Sequence, residues 1–165
     1  VGDVIVPKQE KRKIPTQLDD FASPTVNTYS LETTIAEKLD AILDLMEFSS
    51  RMKDYYDIYY LANKFDFDGA TLTEALKKTF ENRGHAFTIE QFEQVLTFGN
   101  DDAMQKKWKA FCKKIDTKTD DFNAVLRTIK KFLTEPYKAA VADIKYTKIW
   151  LANNNSWIQG GNDND

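Results

Sequence analysis

Five charged side chains have the types and spacing to do chemistry together: Lys38, Arg51, Lys53, Asp54 and Asp57. Asp54 and Asp57 lie one helical turn apart. They interrupt a run, Met52, Tyr55, Tyr56, Ile58, Tyr59, Tyr60 and Leu61, that has almost no polar side. A carboxylate set among aromatics leaves water only with a cation, a metal or hydrogen-bond donors beside it. Lys38, Arg51 and Lys53 are the nearby cations. In the plainest reading they make ordinary pairs on a helix surface, Arg51 with Asp54 and Lys53 with Asp57.

Two helices must position these groups. Ser30 is a plausible N-cap for the first, along which Leu31, Ile35, Leu39, Ile42, Leu43 and Met46 recur on one face. Lys38 falls at the edge of that apolar stripe. Glu32 falls within it, and a charge there needs a partner. The second helix is expected to start near Ser49 or Ser50, after a link at Glu47 to Ser50.

The run A-E-K at Ala36 to Lys38, followed by S-R-M-K-D-Y-Y-D at Ser50 to Asp57, resembles the C-terminal half of the AbiEii/AbiGii-type nucleotidyltransferase toxins, relatives of DNA polymerase β. The likeness is dense over Tyr29 to Ala62. It continues loosely to about Leu133 through FDFDG at Phe65 to Gly69, Thr79-Phe80, the Gln105 to Phe111 stretch with Trp108, and KKFL at Lys130 to Leu133. The resemblance implies transfer of NMP from an NTP to an acceptor such as a tRNA end, in a toxin–antitoxin or phage-defence setting with a cognate antitoxin. It places Lys38 on NTP phosphate, gives Asp57, with Asp54 second, the task of orienting Lys38 or the acceptor, and makes Arg51 and Lys53 further phosphate contacts. In that family Mg²⁺ is held chiefly by a Gly-Ser…Asp-x-Asp/Glu motif of an N-terminal α/β domain. This sequence lacks the motif. Gly2-Asp3 would be its neighbouring remnant, with Asp3 a weak metal candidate, so the chain alone is expected to be inactive and to bind neither Mg²⁺ nor NTP tightly. The residues agree with this placement, since Lys38 and Asp57 could meet where two adjacent helices cross. Removing either partner of such a partly dry pair would leave a costly unpaired charge.

The 165 residues, 42% hydrophobic, suffice for one sizeable core. A net charge of −3 shows no overall basic excess of the kind that marks non-specific nucleic-acid binding. A single cysteine, Cys112, excludes an internal disulfide framework and a multi-cysteine zinc site, and a lone His85 leaves little for a histidine metal centre or a Ser-His-Asp triad. No apolar stretch approaches the roughly 20 residues of a membrane span, and a cytoplasmic protein is expected.

The expected fold is mainly α: a bundle of about six or seven helices over residues 29–158. Before it come a strand remnant at Val1 to Pro7, from a missing nucleotidyltransferase domain, and an extended linker to residue 28. A disordered tail is expected over 159–165. KQEKRK at Lys8 to Lys13 reads as a solvated loop. Asp66 to Gly69 reads as a turn with too few oxygens for calcium, before a helix capped by Thr71 with Glu74 and ending near Gly84. Thr88 with Gln91 caps a fourth helix. Asn100 or Asp101 caps a fifth that buries Met104, Trp108, Phe111, Cys112 and Ile115. A sixth, from about Asp120, stops before Pro136, and Pro136 to Ile144 makes a seventh. Arg127, Lys130 and Lys131 on the sixth read as a basic strip or, more plainly, a solvated face. Tyr146, Ile149, Trp150 and Trp157 need covering, by the bundle or by a partner. The alternative function is accordingly a non-catalytic helical interaction module that uses this late aromatic segment.

Overall fold

The computed structural model describes residues 30–116, 118 and 121–160. The expected strand at Val1 to Pro7, the linker up to residue 28, Asp3 and the KQEKRK run lie outside them. The described residues form six α-helices, α1 (Leu31–Leu45), α2 (Met52–Lys64), α3 (Gly69–Arg83), α4 (Ile89–Leu96), α5 (Asp102–Lys114) and α6 (Phe122–Ala142), with strands β1 (Phe67–Asp68), β2 (Lys148–Leu151) and β3 (Ser156–Gln159). The mainly helical expectation holds.

α1 begins as its sequence demands. The Ser30 hydroxyl accepts the Thr33 N–H at 3.1 Å, satisfying one of the helix's orphan donors. Its face of Ile35, Leu39 and Ile42 is buried to within 1% exposure, and α1 packs against α2, α3 and α4. α2 starts at Met52 rather than at Ser49 or Ser50, because the Ser49 hydroxyl accepts the Arg51 N–H at 3.0 Å and holds the chain in a turn. α3 starts at Gly69, earlier than expected. Its cap is Asp68, which accepts both the N–H (3.1 Å) and the hydroxyl (2.7 Å) of Thr71. Gly69 is needed there because a Cβ would lie 2.5 Å from the Lys148 carbonyl oxygen. The Thr88/Gln91 capping box and the Asp101 cap form as expected. In α5 only Met104 and Trp108 are buried. Phe111 and Cys112 are half-buried and Ile115 is exposed, because the end of α5 runs out past the helices it packs on.

The largest departure is at Pro136. The expected sixth and seventh helices are one, α6, running through the proline. Proline has no N–H for the carbonyl four residues back, here Phe132. That carbonyl instead accepts the Trp157 indole N–H at 3.0 Å, so the helix loses a rung without leaving a buried acceptor bare.

Trp157 reaches it from a small antiparallel sheet, β1-β2-β3, that the expectations did not include. Phe67 pairs with Trp150, and Trp150 with Trp157. The late aromatics thus fold back onto the bundle. Trp150 is fully buried against Phe132, and its indole N–H donates to the Ala62 carbonyl at 2.7 Å near the end of α2. Gln159, expected in the tail, is the last residue of β3, and residues 161–165 lie outside the described set.

Trp157→Phe should lower stability in urea unfolding by about 1–3 kcal/mol, the cost of an orphaned buried acceptor plus lost packing. In a Pro136→Ala background, where a backbone N–H returns, the loss should be smaller. Equal losses in both backgrounds would show that the indole does not serve this carbonyl.

Candidate functional site

α1 and α2 cross so that the two carboxylates of α2 meet the lysine of α1. Lys38 Nζ lies 2.9 Å from Asp57 Oδ2 and 3.5 Å from Asp54 Oδ1. The local pairs form as well: Arg51 Nε is 3.1 Å from Asp54 Oδ2, and Lys53 Nζ is 3.7 Å from Asp57 Oδ2. Among the described residues, the local pairs and the contact across the helix crossing thus coexist in one network. Exposure is graded across it. The Asp57 side chain is 0% exposed, Asp54 4% and Lys38 10%, whereas Lys53 is 33% and Arg51 59% exposed.

Buried aromatics set the electrostatics. Tyr55 packs edge-on to Phe122 with centroids 5.2 Å apart, and burial, helped by the Asp54 charge, pushes its phenol up so that it stays neutral. Burial, then Asp57, does the same to Tyr56. In such surroundings a lysine–carboxylate pair is strong in attraction but costly to desolvate. Among the described residues three cations and two carboxylates meet here, and Arg51 is the most exposed of them. Both carboxylates contact Lys38, and among the described residues no three His, Cys, Asp or Glu side chains are placed to hold a metal. Asp3, the metal candidate, lies outside the described residues.

The corner joining α1 to α2 is fixed by a residue that sequence reasoning passed over. Met46 ends α1 at φ 50°, a strained value for a side chain of its size. Lys107 of α5 donates to the carbonyls of Glu47 and Ser49, each at 3.0 Å, and clamps the turn. Nothing in sequence separates Lys107 from the neighbouring lysines of α5. Asp40 was also missed. It is 1% exposed, its Oδ2 lies 2.8 Å from His85 Nδ1, its Oδ1 3.6 Å from Arg83, and Asp44 lies 3.6 Å from the far nitrogen of His85. The acidic spacing of Glu37, Asp40 and Asp44 was visible, but the partners are some 45 residues away. Burial raises the Asp40 carboxyl above its ordinary range; the hydrogen bond and charge of His85 and the charge of Arg83 oppose this, while Asp44 adds to it.

The helical domain thus carries a buried lysine–aspartate network where its first two helices cross. The family described as "Nucleotidyl transferase AbiEii toxin, Type IV TA system" matches residues 1–134, and the chain belongs to that family of nucleotidyltransferase toxins. Membership in a type IV toxin–antitoxin family implies a cognate antitoxin. No curated protein and no solved structure matches the chain. Among the described residues no helix is long and apolar enough to cross a membrane.

Lys38→Met should cost about 3–5 kcal/mol by taking the nearest cation from the buried Asp57. In a double-mutant cycle with Asp57→Asn, measured by urea unfolding, the pair should show coupling of at least about 1 kcal/mol; additive losses would mean that the two do not act together. Asp40 gives a pH test. Its raised folded-state value means that its contribution is fully present below the ordinary value of 3.8 and is lost as pH rises through the folded value. Wild type should therefore gain stability relative to Asp40→Asn on acidification from neutral pH, and a pH-independent difference would contradict this.

Proposed function

We propose that this chain supplies the phosphate-facing helical part of an enzyme that transfers NMP from an NTP to an acceptor, an RNA such as a tRNA end. The observation that carries the reading is Lys38, held 2.9 Å from a fully buried Asp57, with Lys53 beside it and Arg51 at the exposed side of the same network. In the reaction an acceptor hydroxyl oxygen attacks the α-phosphorus, the bond to the bridging oxygen of the β-phosphate breaks, and pyrophosphate departs with the negative charge. Cations that are already oriented stabilise that charge without reorganising. Asp57 and Asp54 fix the Lys38 ammonium in place. Arg51 and Lys53 neutralise the outer phosphates.

The Mg²⁺ this reaction class uses would be held by carboxylates of an α/β domain bearing the Gly-Ser…Asp-x-Asp/Glu motif, which these 165 residues do not contain. The isolated chain is then inactive, with loose affinity for NTP. The proposed setting is the cytoplasm, in abortive infection or another phage defence governed by the antitoxin. The non-catalytic interaction module drew on the late aromatics, and Trp150 and Trp157 are committed to the bundle's own packing.

In the enzyme complete with its α/β domain, Lys38→Ala should reduce RNA labelling from radioactive NTP by about 100-fold or more. The assay should run well below the variant's melting temperature, with Lys38→Arg as the charge-keeping control. Retained transfer by folded Lys38→Ala would count against the role, as would Mg²⁺-dependent labelling by the 165-residue chain alone.

A further inference from the structure

One face of α6 carries charge that the Lys38 network does not use. Asn123, Arg127, Lys130, Lys131, Thr134 and Lys138 recur at helical spacing and form a single stripe. Among the described residues, none of the four cations in it makes an ion pair, a condition they share with the lysines of α5. In a chain of net charge −3 a row of unneutralised cations is conspicuous. A solvated helix face accounts for charge alone, but this face is concave. With α4 it encloses a groove of about 420 Å³, within the range of small-ligand sites. Half-buried Leu96 gives it an apolar wall over the buried Phe92 and Leu126, and Arg127, Lys130 and Lys138 line its polar side. The Thr134 hydroxyl oxygen, also in the lining, is buried without a hydrogen-bond partner, which costs free energy unless a ligand or water meets it.

We infer that this groove binds a nucleoside phosphate. An inorganic anion would use the cations but not the apolar wall, and an apolar ligand would leave the cations unanswered. A nucleotide answers both: its base lies against Leu96 and the apolar stems lining the groove, its phosphates meet Arg127, Lys130 and Lys138, and Asn123, Glu93 and Thr134 offer donors and acceptors for sugar or base edges. The same chemistry comes from a free nucleotide or from the end of a single strand. Since α4 and α6 build this groove and α1 and α2 build the Lys38 network, the two readings fail separately.

The test uses the chain itself, by amide-detected NMR titration at low ionic strength, with each of the four NTPs, a short single-stranded RNA, and pyrophosphate as probes. Saturable shifts centred on Phe92, Leu96 and Thr134 are expected. They should weaken at least tenfold in Arg127→Gln/Lys130→Gln, whose exposed side chains can change without unfolding the helix, and persist in Arg51→Gln, an exposed position of the other network. Shifts from free NTPs would identify free nucleotide as the source, and shifts from the RNA alone would identify a strand end. Pyrophosphate binding as tightly as the nucleotides, binding that ignores the double variant, or no binding by any probe would each overturn the inference.

Discussion

The contact between Lys38 and Asp57 is the constraint on which the rest of the structure depends. A carboxylate with no exposed side chain sits between helices whose other facing residues are Ile, Leu and Tyr, and it is tolerable there only while a cation stays beside it. The pair thereby dictates how α1 crosses α2, since sliding either helix by one turn would strand a charge on each. Much of the remaining architecture keeps that crossing in place. Lys107 clamps the corner between the two helices, Trp150 ties the far end of α2 to the sheet, and α6 packs along α2.

The proposed function draws on the gradient of exposure across the network. The buried carboxylates lie against Lys38, and the exposed Arg51 borders Asp54 on the outer side. A preoriented cation is worth more to a developing phosphate charge than a mobile surface lysine, because it need not reorganise during the reaction. Among the described residues, both carboxylates of the network lie beside cations.

The local features were legible in sequence. Ser30, the Thr88/Gln91 box and the Asp101 cap act over three residues, so spacing alone reveals them. The pairs Arg51–Asp54 and Lys53–Asp57 are equally local, and Lys38–Asp57 was accessible because its two helices are adjacent in the chain. What escaped reading depends on distant partners. Pro136 would end an isolated helix, and only an indole from 25 residues away lets α6 continue. The strand formed by Trp150 shows no clean alternation, and its pairing with Phe67 joins segments that sequence separates. Asp40 gave no signal in sequence, because its partners His85 and Arg83 come against it only in the fold.

The central claim is that Lys38 faces the triphosphate, and the most direct measurement is a crystal structure of the complete enzyme with a non-hydrolysable NTP analogue. The expected result is Lys38 Nζ within about 2.7–3.2 Å of a phosphate oxygen while still held by Asp57. A triphosphate bound elsewhere, with Lys38 contacting only Asp54 and Asp57, would make the network a structural pair and contradict the reading.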